Sequence, residues 1–302
     1  MSGSSKTPIS PRSLPEEEFF IGHKACAGCG GSLAVRLALK VTGPRSLVAV
    51  PAGCMSAVGF LYPQMSFSCN AIISTFAGTA SMLSGMAAGA RALGWRDVKV
   101  VGFAGDGGTA DIGLQALSGA IDRRERILYI CYDNEGYMNT GVQKSGLTPP
   151  GARTTTTPVG STMRGSSGPK KNMFEIVAAN GIAYAATASV GYPQDYLDKV
   201  ARAASVDGTA YIQVLSPCPT GWGVPSHETT RIAREAVDCG LWVLGEYADG
   251  KHILNRDPGT FAPAAEHLRT QGRFKHLTDE DVARVERDRD EQWKKIRDHW
   301  LR

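Results

Sequence analysis

Asp106 and Asn134 are the residues around which a metal-held diphosphate site could form. Each follows a short apolar run, with glycines beside it. Carboxylate and amide oxygens suit Mg²⁺, a hard ion with octahedral coordination that usually keeps substrate phosphates among its ligands. A backbone carbonyl near Gly136 would supply a third protein oxygen. These three residues therefore suggest a magnesium–diphosphate site with places left for two phosphate oxygens and water.

The segments that would position these residues form a strand–turn–helix–strand unit. Val98–Ala104 and Ile127–Tyr132 are apolar runs of strand length, and Thr109–Arg123 between them has helical character. The Gly105–Gly108 turn lets backbone amides approach a ligand, and a helix N-terminus favours phosphate. Because parallel strands end at one edge of a sheet, we expect Asp106 and Asn134 to converge. The alternative is an ordinary crossover with a glycine-rich turn, because short motifs often match by chance.

Four of the seven cysteines could share one metal centre. Cys26 and Cys29 form a glycine-rich Cys-x-x-Cys loop, and Cys54 and Cys218 each follow an apolar, strand-like run. Four thiolates suit structural zinc or a 4Fe-4S cluster. One Cys-x-x-Cys pair with two distant single cysteines, and a proline beside the last of them, favours the cluster over zinc, and a redox-active pair comes third. The remaining three cysteines are expected to be packing residues: Cys69, Cys131 and Cys239.

The composition is that of a soluble globular protein. Hydrophobic residues make up 42% and charged residues 21% of 302 residues, enough for one large α/β domain with extensions. The net charge of +4 is too small and too dispersed to indicate a nucleic-acid partner. Residues 1–20 are polar and lack the apolar core of a signal peptide, so a flexible arm and a cytoplasmic location are predicted.

Three further segments carry expectations about packing. Ser46–Ala90 contains no Asp, Glu, Lys or Arg, yet it is too interrupted by Pro, Gly and polar residues to span a membrane. Within it, small residues every four positions would give one helix face that packs either on its own sheet or on a partner: Ser81, Gly85 and Gly89. Thr148–Asn172 is a long Thr-, Gly- and Pro-rich loop, either a cover over the site or a mobile surface loop. Leu277–Arg302 has a charged helical pattern with Trp293 and Trp300 as anchors, and is expected to be either an extension that docks on a neighbouring subunit or a solvated terminal helix.

Five sequence blocks together resemble the β subunit of the 2-oxoacid:ferredoxin oxidoreductases, the pyruvate:ferredoxin oxidoreductase family. They occur in the family's order, within roughly residues 20–255, and cover residues 23–30, 105–108, 133–141, 154–158 and 216–222. The resemblance implies an α/β thiamine-diphosphate-binding fold, with a mostly parallel sheet and helices on both faces. It also implies a cysteine-rich cluster-binding segment. The domain organisation expected is an arm (1–20), the diphosphate-module domain (21–255) and a C-terminal helical extension (256–302).

The resemblance also implies roles for single residues. Cys26, Cys29, Cys54 and Cys218 match the ligands of one 4Fe-4S cluster. Asp106, Asn134 and the Gly136 carbonyl match the Mg²⁺ ligands. Asn139 matches a catalytic asparagine near the reactive thiazolium carbon. The positions expected to contact thiamine diphosphate are Gly53, Gly105, Asp106, Gly107, Gly108, Asn134, Gly136 and Asn139.

The activity implied is oxidative decarboxylation of a 2-oxoacid, usually with CoA, with electrons passing singly through the cluster to ferredoxin or a similar acceptor. The Tyr137–Gln143 pattern resembles members acting on pyruvate or similar acids, and Gly141 and Val142 stand where some 2-oxoglutarate-type members carry a lysine. The partners implied are an α subunit with the pyrimidine module and further γ and δ subunits with ferredoxin-type clusters. The chain is predicted to be inactive alone.

Two other functions stay open on the residues alone. One is a non-redox thiamine-diphosphate enzyme of the acetolactate synthase type, in which the four cysteines would be structural. The other is a zinc or Fe-S binding protein without catalysis.

Overall fold

An eight-stranded sheet forms the centre of the computed structural model, which describes residues 9–300. Its strands lie in the order β10-β9-β7-β8-β6-β5-β1-β4, and a separate hairpin pairs β2 with β3. The strand bounds are β1 Ser46–Pro51, β2 Phe60–Leu61, β3 Gln64–Met65, β4 Asn70–Ser74, β5 Lys99–Gly105, β6 Leu128–Asp133, β7 Tyr184–Ser189, β8 Ala210–Leu215, β9 Gly245–Ala248 and β10 Lys251–Leu254. Six neighbouring strands from β7 to β4 are parallel, and β9 and β10 are antiparallel additions. The predicted mostly parallel sheet is confirmed.

Helices cover both faces of this sheet. The α-helices are α1 Gly30–Thr42, α2 Cys54–Gly59, α3 Thr79–Ala92, α4 Asp106–Ala110, α5 Leu114–Asp122, α6 Met173–Ala179, α7 Pro193–Ala203, α8 Pro219–Trp222, α9 Thr229–Asp238, α10 Ala264–Arg269 and α11 Asp279–His299. Two single-turn 3₁₀ helices span Ser226–Glu228 and Gly272–Phe274. Helices α1 and α7 pack on one face, and α3, α5 and α6 on the other. Because both faces are covered, strands such as β6 are buried at every residue and read as continuous apolar runs.

The parallel arrangement decides where the strand exits lie. Strands β8, β6, β5 and β1 are consecutive neighbours and run in one direction. Their C-terminal ends therefore share one edge of the sheet, as predicted. The segments that leave at this edge lead to Cys218, Asn134, Asp106 and Cys54 respectively.

One expectation about helices needs correction, and one alternative left open for α3 is decided. Thr109–Arg123 is not one helix, because α4 ends at Ala110 and α5 begins at Leu114. The small-residue face of α3 does not pack on its own sheet, since Ser81, Gly85 and Gly89 are exposed. A Cβ atom built at either glycine would meet no atom within 4 Å. The buried face of α3 lies on the opposite side.

Both ends of the described chain pack on the domain. Residues 1–8 of the predicted arm lie outside the described residues, while Phe19 and Phe20 are buried and Glu18 pairs with Arg36. At the other end, α11 buries Trp293, whose indole donates to the Gly240 carbonyl at 2.7 Å. None of the helices in residues 9–300 has the length and apolar character needed to cross a membrane.

Candidate active site

The side-chain amide of Asn134 meets Asp106 and Gly136 at the shared edge of the sheet. One terminal atom of this amide lies 2.9 Å from Asp106 Oδ1 and 3.0 Å from the Gly136 carbonyl oxygen. A nitrogen at this point donates to both oxygens, whereas an oxygen there completes a set of three oxygen ligands. The structure thus brings together the three residues predicted to hold a metal.

The spacing of these atoms fits an octahedral cation. With metal–oxygen distances of about 2.1 Å, adjacent ligands of such an ion lie about 3.0 Å apart. The Asn134 atom lies at such a distance from both the Asp106 and the Gly136 oxygen. These two spacings are those expected between adjacent oxygen ligands of Mg²⁺.

Asp106 is a nearly inaccessible carboxylate, with 1% of its surface exposed. Ser145 Oγ donates a hydrogen bond to its Oδ2. Burial, and next the charge of Asp133, raise the pKa of Asp106 well above its ordinary value. A divalent cation bound here would supply the missing countercharge and keep the carboxylate ionised, which is how bound ions reverse such shifts.

The glycines of the Gly105–Gly108 turn are required by packing as well as by ligand approach. A Cβ atom at Gly107 would lie 2.3 Å from the ring of Tyr137. That ring is fixed because its hydroxyl donates to Asp111 Oδ2 at 2.8 Å. A Cβ atom at the other predicted cofactor glycines of the strand exits would lie 3.2–3.5 Å from an aromatic side chain, which is Tyr132 for Gly53 and Gly105 and Phe76 for Gly108. Glycine at these positions therefore leaves room for the aromatic rings that pack against this edge of the sheet.

Asn139 lies in the turn that follows residues 133–136, the loop at the end of β6 that we call the metal loop. Its side chain is exposed and makes no hydrogen bond to the described residues, and the turn is closed by Gly141 N donating to the Met138 carbonyl. The amide is therefore accessible to a bound molecule. Asn139 does not belong to the set of contacting residues around Asn134.

The four predicted cluster cysteines come from three segments that meet at the same edge. Cys26 and Cys29 form a turn, with Cys29 N donating to the Cys26 carbonyl at 3.1 Å. Gly30 N donates to the Pro217 carbonyl at 3.1 Å, which places Cys29 beside the Cys218 segment. Backbone amides also point at two of the sulfurs: Ser32 N lies 3.4 Å from Cys29 Sγ and Gly221 N 3.3 Å from Cys218 Sγ. Amide donors of this kind favour thiolates.

The thiols influence one another through space. Burial raises the pKa of Cys54 to about 12, and Cys29 and Cys218 are the next largest causes. Such mutual repulsion disfavours four free thiolates and is relieved by a cationic metal centre. Within residues 9–300, no three His, Cys, Asp or Glu side chains are grouped tightly enough to hold a single metal ion. The three remaining cysteines lie apart from this group, with Cys131 and Cys239 buried and Cys69 half-buried.

Glu135 is a site residue that sequence reasoning missed. Its backbone φ of 65° lies in the left-handed region, which residues other than glycine rarely adopt. Its buried carboxylate accepts from Lys170 Nζ at 2.7 Å and from Arg273 Nη2 at 2.5 Å. Burial would raise the pKa of Glu135, but the two cations outweigh burial and lower the pKa to about 2. The signal available in the sequence for Glu135 was a charged residue directly after a buried, apolar strand.

Asp133 was also missed, and it connects the long Thr148–Asn172 loop to the site. Lys170, near the end of that loop, pairs with Asp133 Oδ2 at 2.8 Å, while Gln213 Nε2 donates to the same oxygen at 2.7 Å. Burial raises the pKa of Asp133 despite Lys170. At the start of the loop, Thr148 Oγ1 donates to the Glu135 carbonyl at 2.9 Å. The loop is thus fastened to the metal loop at both ends.

Residues 216–222, which we call the Cys218 loop, are hydrogen-bonded to the metal loop. Ser216 N donates to the Asp133 carbonyl, and Trp222 Nε1 donates to the Asn134 carbonyl, both at 2.8 Å. The Met138 thioether lies against Gly221, and Met138 and Cys218 pack against the same hydrophobic cluster. The two predicted cofactor sites are therefore contiguous parts of one structure.

Glu135→Gln should destabilise the protein by about 3–5 kcal/mol near neutral pH, because it breaks a buried ion pair and leaves Arg273 without its carboxylate partner, while Lys170 keeps Asp133. The pKa of Glu135 is about 2 in the folded protein and 4.5 ordinarily. The stabilisation from its charge is therefore fully present above about pH 4.5 and is lost as the pH falls towards 2. Urea unfolding of wild type and variant, across this range and at pH 7, measures the difference.

Glu291→Gln is the matched control, because Glu291 is exposed on α11 and the change should alter the free energy of unfolding by less than about 0.5 kcal/mol. A Glu135→Gln variant as stable as this control at pH 7 would contradict the structural role of the pair.

Comparisons with known proteins identify the family. The model of the thiamine pyrophosphate enzyme C-terminal TPP-binding domain matches residues 51–214, a span that contains Asp106 and Asn134 but not Cys26, Cys29 or Cys218. Pyruvate synthase subunit PorB of Methanothermobacter thermautotrophicus is 48% identical over 274 residues, covering 90% of this chain and 95% of PorB. Ketoisovalerate oxidoreductase subunit VorB of Pyrococcus horikoshii is 44% identical over 292 residues, covering 93% of each chain.

A solved structure agrees on the fold. The 2-oxoglutarate:ferredoxin oxidoreductase from Magnetococcus marinus superposes with a TM-score of 0.58 and 21% identity, covering 72% of this chain and 70% of that chain. At this identity the likeness concerns the fold. Together with the identities to the PorB and VorB subunits over nine-tenths of the sequence, it means that this chain belongs to the family of β subunits of the 2-oxoacid:ferredoxin oxidoreductases.

Proposed function

We propose that this chain holds thiamine diphosphate through Mg²⁺ and carries a 4Fe-4S cluster beside it, as the β subunit of an enzyme that oxidatively decarboxylates a 2-oxoacid. The observation that carries the proposal is the contiguity of the two loops. Asn134 belongs to the loop with the three-oxygen set, and Cys218 to the loop that is hydrogen-bonded to it. A non-redox thiamine enzyme has no use for four cysteines gathered at this edge.

The magnesium ligands in this proposal are Asp106 Oδ1, the side-chain oxygen of Asn134 and the carbonyl of Gly136. Their support is the spacing of about 3 Å around the Asn134 amide and the raised pKa of Asp106, which calls for a cation. The Gly105–Gly108 turn would receive the diphosphate through its backbone amides, with Gly53 on the neighbouring strand exit. When bound, thiamine diphosphate supplies a carbon nucleophile and an electron sink.

The cluster ligands in this proposal are the four converging cysteines: Cys26, Cys29, Cys54 and Cys218. Their support is the backbone contact between Gly30 and Pro217 and the amide donors at two of the sulfurs. Hydrogen bonds to cluster sulfurs and partial burial are among the features that set a cluster's reduction potential. The protein's own contribution is to hold these ligands next to the metal loop, so that electrons can leave one at a time towards ferredoxin.

Asn139 is proposed to hydrogen-bond the reacting substrate. Its exposure and its lack of hydrogen bonds to the described residues leave both donor and acceptor of the amide available. The relatives named pyruvate synthase and ketoisovalerate oxidoreductase make pyruvate or a branched-chain 2-oxoacid the proposed substrate, with CoA as the acyl acceptor. The loop from Thr148 to Asn172, held by Lys170, would cover the site.

The remaining part of the site is proposed to come from an α subunit that carries the pyrimidine module. Glu135, the acidic residue beside the metal ligand, is committed to Lys170 and Arg273 and has no free carboxylate to offer. The open small-residue face of α3 suits close contact with another subunit, together with exposed Ile72 and Ile73 on the edge strand β4. Further γ and δ subunits with ferredoxin-type clusters complete the proposed complex.

Asp106→Asn should weaken Mg²⁺-dependent binding of thiamine diphosphate by at least about 100-fold, because a charged ligand is replaced by a neutral one. Equilibrium dialysis of the complete complex with and without Mg²⁺ measures this loss. Asp122→Asn, on the exposed end of α5, is the control and should bind like wild type. Unchanged, metal-dependent binding by Asp106→Asn would remove Asp106 from the ligand set.

Cys218→Ala should cost the complex four iron and four sulfide, the content of one cluster, while thiamine diphosphate stays bound. Cys69→Ala is the matched control, since Cys69 lies apart from the four. Iron and sulfide analysis of anaerobically purified complexes, with visible spectra, provides the measurement. Equal iron in both variants would remove Cys218 from the ligand set, and zinc in place of iron would favour a structural metal.

The purified chain by itself should turn over no 2-oxoacid with an artificial one-electron acceptor, because part of its thiamine site is supplied in trans. The complete complex should oxidise pyruvate or ketoisovalerate faster than 2-oxoglutarate. Turnover by the isolated chain would refute the division of the site between subunits.

A further inference from the structure

Arg273 reaches the proposed site from the C-terminal part of the chain. It lies in the single-turn helix Gly272–Phe274, between α10 and α11, and 5% of its surface is exposed. Its partner Glu135 lies 138 positions earlier in the sequence. Arg273 is far along the sequence from the strand exits and belongs to neither the metal nor the cysteine ligand set. Its burial at the site therefore needs a separate explanation.

The guanidinium of Arg273 contacts both loops of the site. Nη2 donates to Glu135, the residue between Asn134 and Gly136. The guanidinium carbon lies 3.7 Å from the centroid of the Trp222 ring, which is close for a cation–π contact. Trp222 ends the short helix α8 that begins directly after Cys218, and its indole donates to the Asn134 carbonyl. The Arg273 side chain thus contacts both the metal loop and the Cys218 loop and holds them together.

The charge of Arg273 is also felt at the cysteines. Burial lowers the pKa of Arg273, and the Glu135 carboxylate is the strongest influence in the opposite direction. Asp133 and the Cys218 thiol act in the same sense as Glu135, so the guanidinium lies within electrostatic reach of Cys218. Nη1 of Arg273 is buried and has no acceptor within residues 9–300, which leaves its two N–H groups available to an acceptor supplied by a bound group.

We propose that Arg273 is a positioning residue that fixes the metal loop against the Cys218 loop and, by its fixed positive charge, raises the reduction potential of the cluster. This inference rests on the proposed function, because it requires a cluster at the four cysteines. Nearby positive charge stabilises the reduced cluster, and net charge and hydrogen bonding are known controls of cluster potential. The fork and stacking geometry of arginine explains why lysine is not equivalent at this position.

The test compares Arg273→Gln and Arg273→Lys in the complete, anaerobically purified complex. Redox titration followed by electron paramagnetic resonance reports the cluster whose signal is absent in Cys218→Ala. Arg273→Gln removes the charge and should shift the midpoint potential of this cluster to a more negative value. Arg273→Lys keeps the charge and should hold the potential near that of wild type. Both variants lose the guanidinium that stacks on Trp222 while bonding Glu135, and should bind thiamine diphosphate with Mg²⁺ about 10- to 100-fold more weakly.

Arg289→Gln is the matched control. Arg289 belongs to the same C-terminal part of the chain, has 9% of its side chain exposed, and stacks on Phe261 at 4.6 Å while donating to the Cys239 carbonyl. It contacts neither loop of the site. This variant should leave both the potential and the cofactor affinity at their wild-type values, although it also removes a buried, stacked arginine.

The outcomes separate this inference from the proposed function. A wild-type complex without the Cys218-dependent cluster would reject the proposed function itself. A loaded cluster whose potential is the same in wild type and Arg273→Gln would overturn the electrostatic role. If Arg273→Gln does not assemble, Arg273→Lys decides: wild-type cofactor affinity in that variant would overturn the positioning role, and a weakened affinity with an unshifted potential would support it.

Discussion

Buried negative charge at the C-terminal edge of the sheet is the constraint on which the site depends. Asp106, Asp133 and Glu135 lie within a few residues of two adjacent strand ends, and each is less than one-tenth exposed. Charges removed from water are tolerated only where opposite charge or hydrogen bonds replace the solvent. Lys170 and Arg273 supply two positive charges, and the pKa of Glu135 falls accordingly. The pKa of Asp106 stays raised, and a cation bound at the proposed three-oxygen set would complete the balance.

The need to balance these charges links distant parts of the chain. Lys170 comes from the long loop after the metal loop, and Arg273 from the turn between α10 and α11. Each makes a short, charge-assisted contact with Glu135. These contacts hold Glu135, a residue other than glycine, in the left-handed region of backbone conformation next to Asn134. Such backbone strain persists only where the surroundings over-determine it. Lys170 and Arg273 thus help to orient the Asn134 and Gly136 oxygens, even though neither side chain contacts these oxygens.

The sheet edge also explains how one domain of this family could serve both cofactors. Strands β8 and β6 are direct neighbours, so the segment after β8 lies against the segment after β6. Ser216 and Trp222 bond to carbonyls of the metal loop, and Met138 fills the space towards Gly221. A displacement of one loop is therefore transmitted to the other, which keeps the proposed electron donor and acceptor at a fixed separation.

Much of this architecture follows from local sequence. The apolar runs Val98–Ala104 and Ile127–Tyr132 predicted β5 and β6 to within one residue, and a common strand direction predicted that the residues after parallel strands leave at one edge, because parallel crossovers fix that geometry. Helical character was less reliable between Thr109 and Arg123. There the carboxylate of Asp111 bonds Tyr137 and the backbone of Gly146, and the helix is interrupted between Ala110 and Leu114. Tertiary hydrogen bonds took precedence over local propensity.

Other features were decided by the tertiary structure alone. Periodicity marked the small-residue face of α3, but only the packing of the opposite face on the sheet left Ser81 and Gly85 exposed. The Glu135–Arg273 pair leaves no periodic or motif signal, because its members are 138 positions apart and meet only when the C-terminal segment folds back over the strand exits. The sequence by itself therefore determined which residues offer oxygen and sulfur ligands and at which edge. The folded chain decided how their charges are balanced, since electrostatic partners are selected by distance in space and not along the chain.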